Sequence, residues 1–307
     1  MSNRTEISTL GEFGLIRHLT DRIEIKNNST IKGVGDDAAI LSYDDKQVLV
    51  TTDLLLEGIH FDLTYVPLKH LGYKSAVVNF SDIYAMNGQP KQITVSLGIS
   101  KRFSVEDVED FYAGLKLACD VYGVDIVGGD TSASLTGLCI SITCIGEGEK
   151  DKVVLRSGAK ETDLICVSGD LGAAYMGLQL LEREKRIFKG EKDFTPDFTG
   201  KEYLLERQLK PEARKDIVEM LRNAGVVPTA MMDISDGLSS ELLHISKESN
   251  VGCRVYEDRI PIDYQTAAMA EQFNMNLVTA ALNGGEDYEL LFTVPLTNHE
   301  KVSEIKG

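Results

Sequence analysis

Along most of this chain, short apolar runs of strand character alternate with longer stretches whose apolar residues recur at helical spacing. That alternation confines the fold to a mixed α/β (α+β) class rather than all of one kind. Strands are expected in "QVLVTTD", "QITVSLGI", "DIVGGD" and "LCISITCIGEG", and later in "DLICVSGD", "AMMDISDG", "CRVYED" and "YELLFTVP". Between them, "PLKHLGYKSAVVNFSDIYAMNG" opens at Pro67 and stops at Asn87-Gly88, which suits a helix whose first turn needs no N–H from proline. A second helix, "SVEDVEDFYAGLKLACDVYG", has Ser104 as its N-cap, acids in its first turn and Gly123 as its stop.

The polar segment "GEGEKDK", where a strand gives way to glycine and mixed charge, divides the chain into two expected α/β domains, residues 1–148 and 149–307. "FKGEKDFTPDFTGKE", around Pro196, reads as an exposed surface loop.

Charge narrows the partners. With 32 basic against 48 acidic residues the formal net charge is -16, so nothing draws a nucleic-acid phosphate backbone to this surface. The five cysteines show no C-x-x-C spacing and sit among apolar neighbours, as buried free thiols of a reducing cytoplasm would. The N-terminus lacks the pattern of a signal peptide, and no apolar run is long enough to span a membrane, so a cytoplasmic location is expected.

The chemistry lies in the acids. Carboxylates end strands or open turns at Asp36 and Asp37, Asp53, Asp82, Asp130, Asp170, Asp233 and Asp236, and Glu286 and Asp287. Any one of these has a local explanation, because an Asp side chain bonds nearby turn amides, and Ser235 or Asp236 would serve as a helix cap. As a set they suit Mg2+, a hard cation that takes oxygen ligands and recruits a few carboxylates together with substrate phosphates. Thr51 and Thr52 add hydroxyl oxygens beside Asp53. No His or Cys cluster suggests zinc, and neither a Walker A loop nor protein-kinase signatures occur. His60 has no partner for a catalytic triad, and Arg156, before a glycine turn, is either a surface residue or a phosphate clamp.

Taken together, "GVGDDAAIL", "TTDLLLEGIHF", "KSAVVNFSDIYAMNGQP", "DIVGGDTS", "VLRSGAKETD", "DISDGLSSEL" and "GGEDYELLF" resemble the thiamine-monophosphate kinase family of the aminoimidazole-ribonucleotide-synthetase-like superfamily over nearly the whole chain. The resemblance implies transfer of the γ-phosphoryl group of ATP to thiamine monophosphate, assisted by several Mg2+ ions, in a homodimer whose N-terminal domains pair their strands. It assigns metal to Asp37, Thr51, Thr52, Asp53, Asp82, Asp130, Asp233 and Asp236, leaving Asp36 as a turn residue. It assigns ATP to Gly129, Asp130, Arg156, Ser235 and Tyr112, and the thiamine substrate to His60 and Glu286.

Two departures stand out: Asn87 in "AMNGQP", and an ending at "SEIKG" where the family continues to a late aromatic contact, so the second domain is expected to be truncated. No acid or base catalyst is needed, since the acceptor phosphate is already largely ionised near neutral pH. The competing readings are a superfamily synthetase that activates an amide or carboxamide oxygen, and a non-catalytic nucleotide-binding scaffold.

Overall fold

The computed structural model describes residues 30–32, 36, 39–43, 45–188 and 198–305. Strands β1 (Thr30–Lys32), β2 (Ala39–Tyr43) and β3 (Lys46–Leu56) form an antiparallel meander. Helix α1 (Leu68–Ala85) follows, then β4 (Gln89–Ile99), α2 (Val105–Tyr122), β5 (Asp125–Ala133) and β6 (Leu138–Glu149). The sheet order is β1-β2-β3-β6-β4-β5, antiparallel except for the β4–β5 pair, which α2 connects as a crossover.

The helix boundaries follow from local chemistry. Ser104 and Asp107 cap α2 reciprocally, and Gly123 ends it in the left-handed region. Pro67 precedes α1, and Asn87 takes positive φ just after it. The two helices touch backbone to backbone because Gly72 and Gly114 leave no side chain between them. A Cβ at Gly114 would lie 1.7 Å from the Lys69 carbonyl oxygen, and one at Gly72 would lie 1.9 Å from that of Phe111. Gly114→Ala must push the helices apart and is expected to cost on the order of 1–3 kcal/mol. The urea midpoint measures this; an unchanged midpoint would refute the close crossing.

Both helices cover one face of the sheet, where Leu49, Ile93, Val95, Ile140 and Ile142 are buried. Among the described residues no helix lies on the opposite face, and β5 is exposed throughout. Leu54, Ile126 and Val127 are large apolar side chains left open to solvent in these edge and central strands.

The second unit is built on a three-stranded antiparallel sheet, β7 (Leu164–Val167), β8 (Ala230–Asp233) and β9 (Leu290–Val294), with β9 central. Its helices are α3 (Ala173–Phe188), α4 (Glu202–Leu209), α5 (Lys215–Asn223), α6 (Leu238–Ser249), α7 (Tyr264–Gln272) and α8 (Leu277–Asn283). The main core runs without a break from α1 and the large sheet into Val218, Leu221, Met231 and Phe292. Helix α1 is therefore buried on nearly every side, between its own sheet and the second unit.

Two expectations are revised. "CRVYED" forms no strand: residues 253–256 lie outside regular structure and Glu257–Arg259 form a 3-10 turn, and among the described residues no strand pairs with them. Cys253 is exposed and Cys139 half-buried, while Cys119, Cys144 and Cys166 fit the buried-thiol expectation better, burial raising all three thiols and Cys119 and Cys166 to about 11. Most of the expected loop around Pro196 lies outside the described residues. No helix among the described residues is long and apolar enough to cross a membrane.

Candidate active site

Strand alternation decides which acids meet. On β3 the side chains of Leu49, Thr51, Asp53 and Leu55 share the helix-covered face, and the C-terminal turn of α1 brings Ser81 and Asp82 over it. Thr51 Oγ1 donates to Asp82 Oδ2 at 2.5 Å. Ser81 Oγ donates to Asp233 Oδ2, also at 2.5 Å, which ties the last residue of β8 to α1. Arg156 comes from the connection between the two units; its main-chain N–H donates to Asp36 Oδ1 at 2.8 Å and its guanidinium charge favours the ionised form of Asp233. Asp36 thus anchors a distant segment.

Burial raises the carboxyls of both Asp53 and Asp233, Asp233 further through the neighbouring charge of Asp53. Two carboxylates held close in a dry site call for a cation. Tyr288 lies within electrostatic reach of Asp53, Asp82, Asp233 and Glu286, and burial and these charges hold its phenol well above the usual range. Among the described residues no three of His, Cys, Asp and Glu form a ready-made metal cage. Asp37 falls outside the described residues.

Other expected ligands are placed differently. Thr52 faces the open side of the sheet, where its hydroxyl donates to the Ile142 carbonyl at 3.1 Å and receives Thr143 at 3.0 Å. Its side chain therefore does not join that of Thr51; only its main-chain oxygen lies at the same point of β3, just past Val50, the last residue of the described pairing with β2. Asp130 sits on β5 opposite Ser96, on the open face, three strand steps or about 14 Å from Asp53. One chain does not bring Asp130 to the Asp53 group. Gly129 lies beside it, where a Cβ would be 1.9 Å from the Val95 carbonyl oxygen, so only glycine fits the β4–β5 approach. Tyr112 is half-buried on α2 with its ring edge-on to Phe111, and its described contacts reach neither Gly129 nor Arg156.

Neither Ser235 nor Asp236 caps the following helix. Gly237 is the residue before α6 and makes no side-chain cap; Glu241 reaches back instead and accepts from the Asp236 N–H at 2.9 Å. The Asp236 carboxylate stays exposed, relieved of the local role that would have explained it.

A cleft of ≈ 520 Å³ begins at Leu55, on the same strand and face as Asp53 and two residues further on, about 7 Å away. It brings together His60 and Glu286, as expected, with Phe61, Tyr65, Lys74 and Gln208. His60 Nδ1 accepts from the Leu56 N–H at 2.9 Å, which leaves Nε2 as the donor in the neutral ring. Glu286, in the left-handed region at φ 66°, is held by Lys74 Nζ at 3.0 Å and Gln208 Nε2 at 2.9 Å. Asp62, Glu182 and Lys185 rim the same cleft, Lys185 bonding Asp62 at 2.5 Å and the Tyr65 hydroxyl bonding Glu182 at 2.9 Å.

Sequence reasoning missed Lys74 and Gln208. A lysine inside the apolar helical run "GYKSAVVNF" was the available signal for the first; nothing local marks the second.

The remaining strand-end acids serve structure. Asp287 accepts from the N–H groups of Gly172 and Ala174 at the start of α3, and burial pushes its carboxyl up to about 7. Asp170 receives the Tyr203 hydroxyl at 2.5 Å. Glu289, 1% exposed, receives Ser168, Arg207 and Arg214.

Comparison with known proteins bears on what this arrangement does. Residues 35–147 match the family model described as AIR synthase related protein, N-terminal domain. The chain is 38% identical over 289 residues to the thiamine-monophosphate kinase of Aquifex aeolicus, covering 94% of this chain and 87% of that protein. With the Bacillus subtilis enzyme of the same name it shares 35% identity over 287 residues, 93% of this chain and 84% of that one. Among solved structures, AaThiL complexed with AMPPCP and TMP superposes with a TM-score of 0.84 at 37% identity, over 98% of this chain and 89% of that one. The HypE-HypF complex, at 22% identity and a TM-score of 0.71 over 94% of this chain and 87% of that one, shares the fold.

Proposed function

This chain belongs to the thiamine-monophosphate kinase family, and from that premise we propose how its residues divide the work of a kinase that uses ATP to phosphorylate thiamine monophosphate. The observation that carries the proposal is the adjoining of two environments on one face of β3: the acid group around Asp53 and the cleft that starts at Leu55.

The cleft takes the thiamine part. Its carboxylates and the aromatic residues Phe61 and Tyr65, the latter already drawing the Lys185 ammonium over its ring, suit a cationic thiazolium ring, with His60 and Glu286 as the substrate contacts. The acid end takes the phosphates. Asp37, Thr51, Thr52 through its main chain, Asp53, Asp82, Asp130, Asp233 and Asp236 would hold several Mg2+ ions, and the all-oxygen character of this set and the buried, cation-seeking pair Asp53 and Asp233 fit that metal. Bound there, the metal supplies charge neutralisation for phosphoryl transfer. Arg156, Gly129, Asp130, Ser235 and Tyr112 would hold ATP, Gly129 by letting the nucleotide approach bare backbone.

The acceptor phosphate oxygen needs no base, so the residues position two anions for direct in-line attack without a phosphoenzyme. A burst of labelled phosphate on the protein without acceptor would rule that out.

The homodimer is part of the same reading. The sheet face that no described helix covers and the exposed β5 edge carry Leu54, Ile126 and Val127, and Asp130 lies on that face away from Asp53. Pairing with a second copy would bury this apolar surface and bring an Asp130 toward each acid group. We assign residues 1–148 to metal, nucleotide and dimer contacts and 149–307 to the second α/β domain. Free thiols and a need for ATP support a cytoplasmic setting.

A coupled assay of ADP release tests the activity. Turnover is expected with thiamine monophosphate and Mg2+, and not with thiamine, with aminoimidazole precursors, or after chelation. Turnover of an aminoimidazole precursor in its place would favour the synthetase reading.

A further inference from the structure

Lys74 sits in the apolar run of α1 with its side chain 7% exposed. An ammonium so enclosed gives up its hydration and is tolerated only beside close partners. It has two, both from the second unit: the main-chain oxygen of Gln208 at 2.9 Å and Glu286 Oε1 at 3.0 Å. The first bond satisfies a carbonyl at the end of α4, where the helix itself supplies no donor. The second reaches a residue at the wall of the cleft.

Glu286 is held unusually firmly. Its backbone lies in the left-handed region at φ 66°, a conformation that costs energy for a residue with a Cβ and persists only where its surroundings impose it. Its N–H donates to the Ser235 carbonyl at 2.7 Å, and a Cβ on the preceding Gly285 would lie 2.3 Å from that same oxygen. Lys74 holds Oε1, and Gln208 Nε2 holds Oε2 at 2.9 Å. A carboxylate offers about four acceptor positions, so this clamp leaves room for a ligand. The side chain is 30% exposed where it lines the cleft. Seven residues further along α1, two turns and about 10 Å away on the same stripe, Ser81 bonds Asp233 at 2.5 Å. One helix therefore fixes both the cleft carboxylate and a buried member of the acid group.

We propose that Lys74 is a positioning residue for the transfer. It holds Glu286 at a set place in the cleft, and so sets how far the thiamine end of the substrate lies from the acid group that takes its phosphate. The inference rests on the assignment of Glu286 to the substrate above, and Lys74 itself need not touch the ligand. Without the lysine, Glu286 keeps only the neutral Gln208 amide, and its turn can relax from the left-handed region.

The test measures calorimetric Kd for thiamine monophosphate and the steady-state constants in the unaltered chain, Lys74→Met, Glu286→Gln and the double variant. Met keeps the apolar stem of lysine and removes its charge and donors. Lys74→Met is expected to raise Kd and KM for thiamine monophosphate about tenfold, the worth of a hydrogen bond between charged groups, with KM for ATP unchanged. In the Glu286→Gln background the same change should raise them less than about threefold, because the carboxylate through which it acts is already gone. A residue that only braces the fold would give equal losses in both backgrounds, or would weaken ATP alongside thiamine monophosphate. If Lys74→Met does not fold, Lys74→Gln, which keeps a donor for one partner, takes its place in the cycle.

Equal losses in both backgrounds, a shared loss for ATP, or failure of both Lys74 variants to fold would overturn the inference. Coupled loss of binding in a chain that shows no phosphorylation would support Lys74 and remove the kinase assignment. Phosphorylation of thiamine monophosphate that Lys74→Met leaves unaltered would do the reverse, and absence of binding by the unaltered chain would remove both.

Discussion

Asp53→Asn is expected to lower kcat by about 10³-fold or more while leaving the fold intact or more stable. The loss follows from removing one of the charges that hold metal against the reacting phosphates, a contribution of several kcal/mol at about tenfold per 1.4 kcal/mol. The stability follows from burial. The Asp53 carboxyl is raised by desolvation and adds to the raised carboxyl of Asp233, so a neutral, nearly isosteric amide relieves both costs. Thermal melts make the two halves separable. Without metal the variant should melt at or above the parent temperature; with Mg2+ and nucleotide only the parent should gain stability. A variant that unfolds would return Asp53 to a structural role, and one that keeps its turnover would remove it from the site.

The second large effect is expected at Glu289, which no nucleotide or substrate touches in this assignment. Its carboxylate is 1% exposed and accepts from Ser168 Oγ at 2.5 Å, from Arg207 at 2.8 Å and from Arg214 at closer range. Gly169 has positive φ, and a Cβ there would lie 2.3 Å from Glu289 Oε1, so the chain at β7 is shaped around this carboxylate. Glu289→Ala leaves two guanidinium groups with their shared counter-charge removed, and breaking a buried pair in this way costs about 3–5 kcal/mol. Denaturant unfolding should show that loss. A shift below about 1 kcal/mol would mean that solvent already screens the cluster. Because Glu289 lies three residues after Glu286 in the same turn, KM for thiamine monophosphate is also expected to rise in protein that remains folded.

Much of this architecture was legible in the chain. The period-two runs of β3, β4 and β6 and the capping signals of α2 are local properties, and Ser104, Asp107 and Gly123 do in the fold what their chemistry implies. Asp287 also kept to turn and cap chemistry. Where a segment's state depended on partners, local reading failed: "CRVYED" has strand composition but no described strand beside it, and Asp236 looked like a cap until Glu241 took the amide. Thr51 and Thr52 are neighbours in sequence yet face opposite sides of the sheet, since successive strand residues alternate.

The sequence by itself determined the class of fold, the order of the elements and the inventory of oxygen donors, because periodicity, capping and turn chemistry act over a few residues. The tertiary structure decided which of those donors meet. It joined Thr51 to Asp82 and Ser81 to Asp233 across 31 and 152 residues, and set Asp130 on the far face of the sheet. It also paired Lys74 with Glu286. Such pairings depend on sheet register and on how α1 is enclosed between the two units, which are properties of the packed chain that no short window contains.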